Sequence, residues 1–206
     1  MNLLLSLCIF FFAVIIHEYA HGWVAWKLGD STARFMGRLT LNPIAHIDPV
    51  GTIFLPLILI MTHSPVLFGW AKPVPVDFFN LNNPKRDMIW VGLAGPAANI
   101  IFAIVLALLL KIPLLMVSPL AVSVITIAIT ANLVLAVFNL LPIPPLDGSR
   151  IAMGLLPYNL GVEYAKIEPY GFIIIFALLW MGFINTIIWP IVIFLANLLI
   201  GHFSMM

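Results

Sequence analysis

Charge is what this sequence has least of. Only 8% of its 206 residues are Asp, Glu, Lys or Arg, against about a quarter in a soluble domain. With a net charge of +1 and no cluster of Lys and Arg, it lacks the electrostatic footprint of a nucleic-acid partner. The single cysteine, Cys8, excludes an internal disulfide and says nothing of redox compartment. There is no repeat with a period of 20 to 50 residues and no low-complexity tract. Long polar stretches are missing too, so no appended soluble domain is expected. The opening "MNLLLSLCIFFFAVII" lacks a basic leader and a small-x-small cleavage site, so it is expected to be retained. Without transit-peptide composition ahead of it, a prokaryotic plasma membrane is the expected address.

Apolar residues, by contrast, make up 63% of the chain. They gather at residues 3–16, 88–110, 119–141 and 171–201, and about 18 such residues suffice to span a bilayer as a helix. Backbone groups in lipid must pair within their own segment, so runs of this length imply a helical bundle. Helix one is expected over about residues 3–27, stopped by Gly29 and Asp30. Residues 29–52 read as strand or irregular loop, with strand-like alternation in "RFMGRLTLNP". Residues 52–68 are apolar but contain Pro56 and Pro65, which fits a full span or a broken, re-entrant helix. Residues 69–87, rich in Pro, Asn and Asp, read as loop with a short hairpin. The run 171–201 would measure about 46 Å as one helix, too long for one span, so a break is expected within "GFINTIIWP". Five or six transmembrane segments follow. Lys and Arg are balanced between successive loops, so they do not fix orientation.

Against this apolar background, "FFAVIIHEYAHGW" places His17, Glu18 and His21 inside the first span. An intramembrane carboxylate costs about 3 kcal/mol on insertion scales and generally faces a cavity or a partner. His17 and His21, four residues apart, share one helix face. Two such imidazoles can close on one zinc ion, with the intervening Glu able to take a proton from a water. A catalytic zinc needs a third protein ligand. His46, Asp48, His63, Asp147, Glu163, Glu168 and His202 are the candidates. Asp147 stands out because "NLLPIPPLDGSR" places it just after a span, in backbone that prolines keep non-helical. His46 and Asp48 in "NPIAHIDP" compete with it, while Glu163 and Glu168 read as surface charges beside Lys166. "GLAGPAANI" reads as a close-packing surface, with Asn99 as an interhelical hydrogen-bonder.

Together, "HEYAH", "GLAGPAANI" and "FNLLPIPPLDG", with "GWAKPVPV" between them, resemble the site-2 proteases. These are zinc metalloproteases that cut transmembrane substrates within the bilayer. The resemblance covers nearly the whole chain and suggests a minimal prokaryotic member without PDZ or CBS domains. It implies His17, His21 and Asp147 as ligands of one Zn2+ ion per chain and Glu18 as catalytic base. Asn139 is implied in substrate binding, although the residue alone could equally tie two helices together. The segment around "GRLTLNP" falls where the family has a membrane-inserted β element. The expected fold is therefore an all-α polytopic membrane protein, a helical bundle of five or six transmembrane segments with a small membrane-associated β element. Residues 1–206 would form a single integral-membrane domain. Its partners would be a transmembrane protein substrate and the lipid bilayer, with residues 34–42 the candidate edge for an extended substrate. The competing class is a membrane metal transporter that uses the same His/Glu/Asp cluster as a transit site.

Overall fold

The long apolar runs become the helices that organise the computed structural model, which describes residues 3–63 and 69–201. Helix α1, Leu3–Lys27, ends on a cation that complements its dipole. The chain then turns through Gly29 at φ 114, a conformation open to glycine. A short α2 at Thr32–Phe35 and a 3₁₀ turn at Pro43–His46 follow. A widened helical turn, Pro49–Phe54, runs into α3, Leu55–Met61. Helix α4, Pro84–Leu109, is followed by the short α5, Pro113–Met116. Helix α6, Pro119–Asn139, begins on Ser118, whose side chain accepts from the Ala121 N–H, with Pro119 in the first turn. Helices α7, Asp147–Leu155, α8, Tyr158–Ala165, α9, Gly171–Trp180, and α10, Trp189–Ile200, complete the chain.

Three of these helices, α1, α4 and α6, are long and apolar enough to cross a membrane. Residues 158–180 and 184–200 form a pair bent by 72°, which brings the number to four if the pair is one span. The bend falls at Gly182, with φ 78, at the edge of the break expected from "GFINTIIWP". The segment Pro49–Met61 is about 20 Å long, short of the roughly 30 Å hydrocarbon core. Helix α4 is central and packs against α1, α6 and α7. Its C-terminal half shares a core of Ala103, Ala107, Ile129, Leu133, Ile188, Val192 and Ala196 with α6, α10 and the widened turn Ile184–Ile188 that precedes α10.

Two local expectations are corrected. Among the described residues there is no strand, and residues 34–42 form the end of α2, a turn and bends. Their backbone groups pair locally instead: Arg38 N–H with the Ala33 carbonyl, Thr40 N–H with the Arg38 carbonyl, around Gly37 at φ 65. Side-chain alternation was present, but no ladder partner was left for it. The hairpin expected in residues 69–87 is absent as well. Residues 70–77 run as an extended strap, tied by Trp70 N–H to Gly51 O at 3.1 Å and Lys72 N–H to His46 O at 2.9 Å.

At its far end the strap is held by Asp30, which is fully buried. Burial works to raise the Asp30 carboxyl, but hydrogen bonds from the Thr32 hydroxyl and N–H, the Asp77 N–H and the Asn80 amide outweigh it and hold the group below its ordinary value of 3.8. A folded value below the unfolded one means this stabilisation is complete above the unfolded value. It is lost as pH falls through the folded value. Asp30→Ala is therefore expected to cost about 2 kcal/mol, measured as a lower Tm in detergent at pH 7. The wild-type and variant Tm values should converge as pH drops through the carboxylate range. Equal Tm values at pH 7 would show that the carboxylate does not anchor the strap.

Candidate metal centre

The α-helical period puts His17 and His21 on the face of α1 that packs against α4. Both are buried, at 4% and 8% exposure, and their rings meet edge-on with centroids 4.6 Å apart. Asp147 arrives from far along the chain. After α6 ends at Asn139, Pro142, Pro144 and Pro145 prevent further helix. The chain doubles back and α7 starts at Asp147, with Leu146 extended before it. A Cβ on Gly148 would run into the Leu140 and Leu141 carbonyls, so glycine lets the first turn of α7 sit on the end of α6. Gly92 of α4 makes similar room, since its Cβ would lie 3.0 Å from the Asp147 carbonyl. Backbone proximity on both sides aims the Asp147 carboxylate at the two imidazoles.

Which ring nitrogens face it follows from the hydrogen bonds. The Asn99 amide nitrogen donates to the Ala13 carbonyl at 3.1 Å and to Asn132 Oδ1 at 2.8 Å. That fixes its Oδ1 toward His17 Nδ1, 2.6 Å away, so Nδ1 must carry the proton. His21 Nδ1 likewise donates to the Val91 carbonyl at 2.7 Å. In the neutral tautomers both Nε2 atoms then present lone pairs. They point at Asp147 Oδ2, at 2.9 and 3.2 Å, an oxygen that is buried and has no hydrogen-bond donor in proper geometry. In that state three acceptors converge on one point, an arrangement that a bound cation would satisfy.

The residues fit zinc. Two imidazoles and one carboxylate are a catalytic donor set, and tetrahedral bonds of this ion separate ligand atoms by about 3.3 Å. The histidines' outer nitrogens are tied to Asn99 and to a backbone carbonyl, as metal-ligating imidazoles require. Space is reserved as well. A Cβ on Gly95 would lie 2.6 Å from His17 Nε2 and closer still to His21 Nε2, filling the point where the lone pairs meet.

Among the described residues, His17, His21 and Asp147 are the one group able to hold a metal. His46 Nε2 instead donates to the Thr40 carbonyl at 2.8 Å, and Asp48 caps the N–H groups of Val50 and Gly51. Glu163 pairs with Lys166 and Glu168 with Arg150. His63 joins no metal-binding group, and His202 lies outside the described residues.

The site opens into a cleft of about 280 Å³ that also contains Glu18, Asn139, Arg150 and strap residues Pro73, Val74 and Val76. That volume admits water readily. Glu18 Oε2 accepts from the Val74 N–H at 2.8 Å, and the Asn139 amide nitrogen donates to Leu135 O in its own helix at 2.9 Å. A second groove of about 290 Å³, between α1, α4 and α6, is lined by apolar side chains such as Phe12, Phe102 and Leu106, with Asn132 its one polar group. It offers no hydrolytic chemistry.

The model of peptidase family M50 matches residues 5–118 and 113–182. The chain belongs to this family. It is 41% identical over 182 residues to YwhC of Bacillus subtilis (strain 168), whose inferred activity is that of a zinc metalloprotease; the match covers 85% of this chain and 80% of that protein. Rip2 of Mycolicibacterium smegmatis, named for the same inferred activity, is 32% identical over 85% of this chain and 64% of its own length. Rip2 of Mycobacterium tuberculosis is 34% identical over 81% of this chain, which spans about half (54%) of that relative. No solved structure matches the chain at a significant level. As a member of M50, the site-2 protease family, this membrane protein is a zinc metallopeptidase.

Sequence reasoning missed two contributors to the M50 centre. Gly95 was read as a packing residue and Asn99 as an interhelical hydrogen-bonder, which it is, but not as a partner of a metal ligand; the two lie four apart on the face of α4 that meets the histidines. That spacing was the available signal. Gly95→Ala should leave helix content intact by circular dichroism while zinc content of the purified protein falls well below one per chain. Asn99→Leu should weaken zinc affinity by about 10- to 100-fold in a chelator competition. Full zinc occupancy in Gly95→Ala would contradict this geometry.

Proposed function

We propose that residues 1–206 form one multi-pass catalytic domain of a prokaryotic plasma membrane, which hydrolyses peptide bonds within or near transmembrane segments of protein substrates. One observation supports the reading: His17 and His21 lie inside α1, a helix long and apolar enough to cross a membrane, and Asp147 converges on them there. His17 is about 15 Å from Lys27 along α1, half the thickness of the hydrocarbon core. In this arrangement α1, α4 and α6 cross the bilayer, the bent C-terminal pair adds a fourth crossing, and Pro49–Met61 enters without crossing.

His17, His21 and Asp147 hold one Zn2+ per chain. When bound, that ion lowers the pKa of a water and polarises a carbonyl as a Lewis acid. Glu18 does the proton work from the same cleft. With Oε2 held by Val74, Oε1 takes the proton of the attacking water and returns it to the leaving nitrogen. Asn99 and the Val91 carbonyl keep both imidazoles in the tautomer that leaves Nε2 free. Asn139 lines the cleft with its amide nitrogen already engaged, so its Oδ1 accepts from an N–H of the opened substrate backbone. The lipid-facing helices admit the substrate laterally, and the cleft supplies the water. The transport reading has no matching support, because a transit pathway needs several stations and the described residues hold one such cluster.

Glu18→Gln should retain one zinc per chain and lose cleavage of a transmembrane model substrate by a factor of about 10² to 10⁴. Asp147→Ala should lose zinc along with activity. Proteolysis undiminished in Glu18→Gln removes the assigned base, and unchanged zinc in Asp147→Ala removes the third ligand.

A further inference from the structure

The strap of residues 70–77 contains Pro73 and Pro75, neither of which has an N–H. Val74 is therefore the single backbone donor across those three positions, and its proton goes to Glu18 Oε2 at 2.8 Å. The other end of the same peptide unit is also taken. Arg38 Nη2 donates to the Pro73 carbonyl at 3.2 Å and to the Lys72 carbonyl at 2.9 Å. Carbonyl and N–H of one planar trans unit point in opposite directions. A guanidinium at one end and a carboxylate at the other therefore polarise the same peptide, and each bond strengthens the next. Prolines at 73 and 75 also restrict Lys72 and Val74 to extended backbone, so the unit has little freedom to turn away. The strap's approach to α1 is equally specific. Val74 is 6% exposed and rests against Gly22, one helical turn after Glu18, where an added Cβ would meet Val74 Cγ1 at 2.7 Å.

We infer that Arg38 is a positioning residue for hydrolysis: through the Pro73–Val74 peptide it holds the Glu18 carboxylate in one orientation, with Oε1 presented to the cleft. This rests on the proposal that Glu18 is the base. Among the described residues, the 34–42 segment supplies no ligand of the metal group and lines no part of the cleft, and the two carbonyls are the partners its Arg38 guanidinium takes. A glutamate anchored at one oxygen reacts from a single rotamer, whereas a free one samples several.

The test uses the full-length zinc-loaded enzyme in detergent with a transmembrane model substrate, together with amide hydrogen exchange resolved at Val74. Arg38→Met is expected to lower kcat on the order of 100-fold, as for a misplaced reacting group, with KM changed less than about twofold and zinc still one per chain. Arg38→Lys should recover part of that loss, since an ammonium also donates to carbonyls. The Val74 amide should exchange slowly in the wild type and faster in both Arg38→Met and Glu18→Ala. Unchanged kcat in Arg38→Met overturns the inference, as does a Val74 amide that stays slow in both variants. Loss of zinc or of fold in Arg38→Met also overturns it, by assigning the residue a structural role. A wild type that hydrolyses nothing would defeat the peptidase reading alone, because the exchange measurement reads the Arg38–Glu18 link without substrate.

Discussion

His17 Nε2, His21 Nε2 and Asp147 Oδ2 meet in a buried space, 2.9 and 3.2 Å from nitrogen to oxygen, and the surrounding structure follows from that convergence of metal-ligating atoms. In a medium with so little water, three such acceptors repel one another unless a cation joins them. Two of the three come from one helical turn of α1, so the demanding step is to bring the third from a position 126 residues beyond His21 (147 − 21). The fold does this by removing side chains. Gly148, Gly92 and Gly95 each sit where a Cβ would collide with a backbone or with a ligand atom, so α4 and α7 approach α1 closely enough for the carboxylate to arrive.

Around that centre, the polar groups fall into two systems that serve different ends. On the α4 side, Asn132, Asn99 and the Val91 carbonyl fix the imidazole tautomers, a task that needs pure hydrogen-bond direction and no charge. On the strap side, a charged chain from Arg38 to Glu18 runs through one peptide unit. The first system prepares the site for a metal, and the second holds Glu18, the base we propose, in one orientation. Between them lies the cleft, a space large enough for water beside the polar side chains.

Much of this was legible in the sequence where the signal was local. The spacing within "HEYAH" placed both imidazoles on one face, and hydropathy located α1, α4 and α6 to within a few residues. Asp147 was favoured by its proline-bound setting, but the residues alone left His46 and Asp48 open. Only the fold shows that the Thr40 carbonyl and a helical turn consume those two. The strand expected near "GRLTLNP" failed because alternation records side-chain polarity and cannot reveal whether a partner ladder exists. Asn99 was legible as an interhelical hydrogen-bonder but not as the partner of His17, and Gly95, Gly22 and Arg38 were illegible for a related reason. Each acts on a group from a different segment, so nothing in its own neighbourhood announces the role.

The most direct measurement of the central claim is zinc-edge X-ray absorption on the purified protein, which reads the ion's ligands without reference to activity. The account predicts two imidazole nitrogens at about 2.0 to 2.1 Å together with oxygen ligands at about 2.0 to 2.2 Å. A spectrum requiring a third imidazole, or a sulfur at about 2.3 Å, would place the metal elsewhere and contradict the centre built from His17, His21 and Asp147.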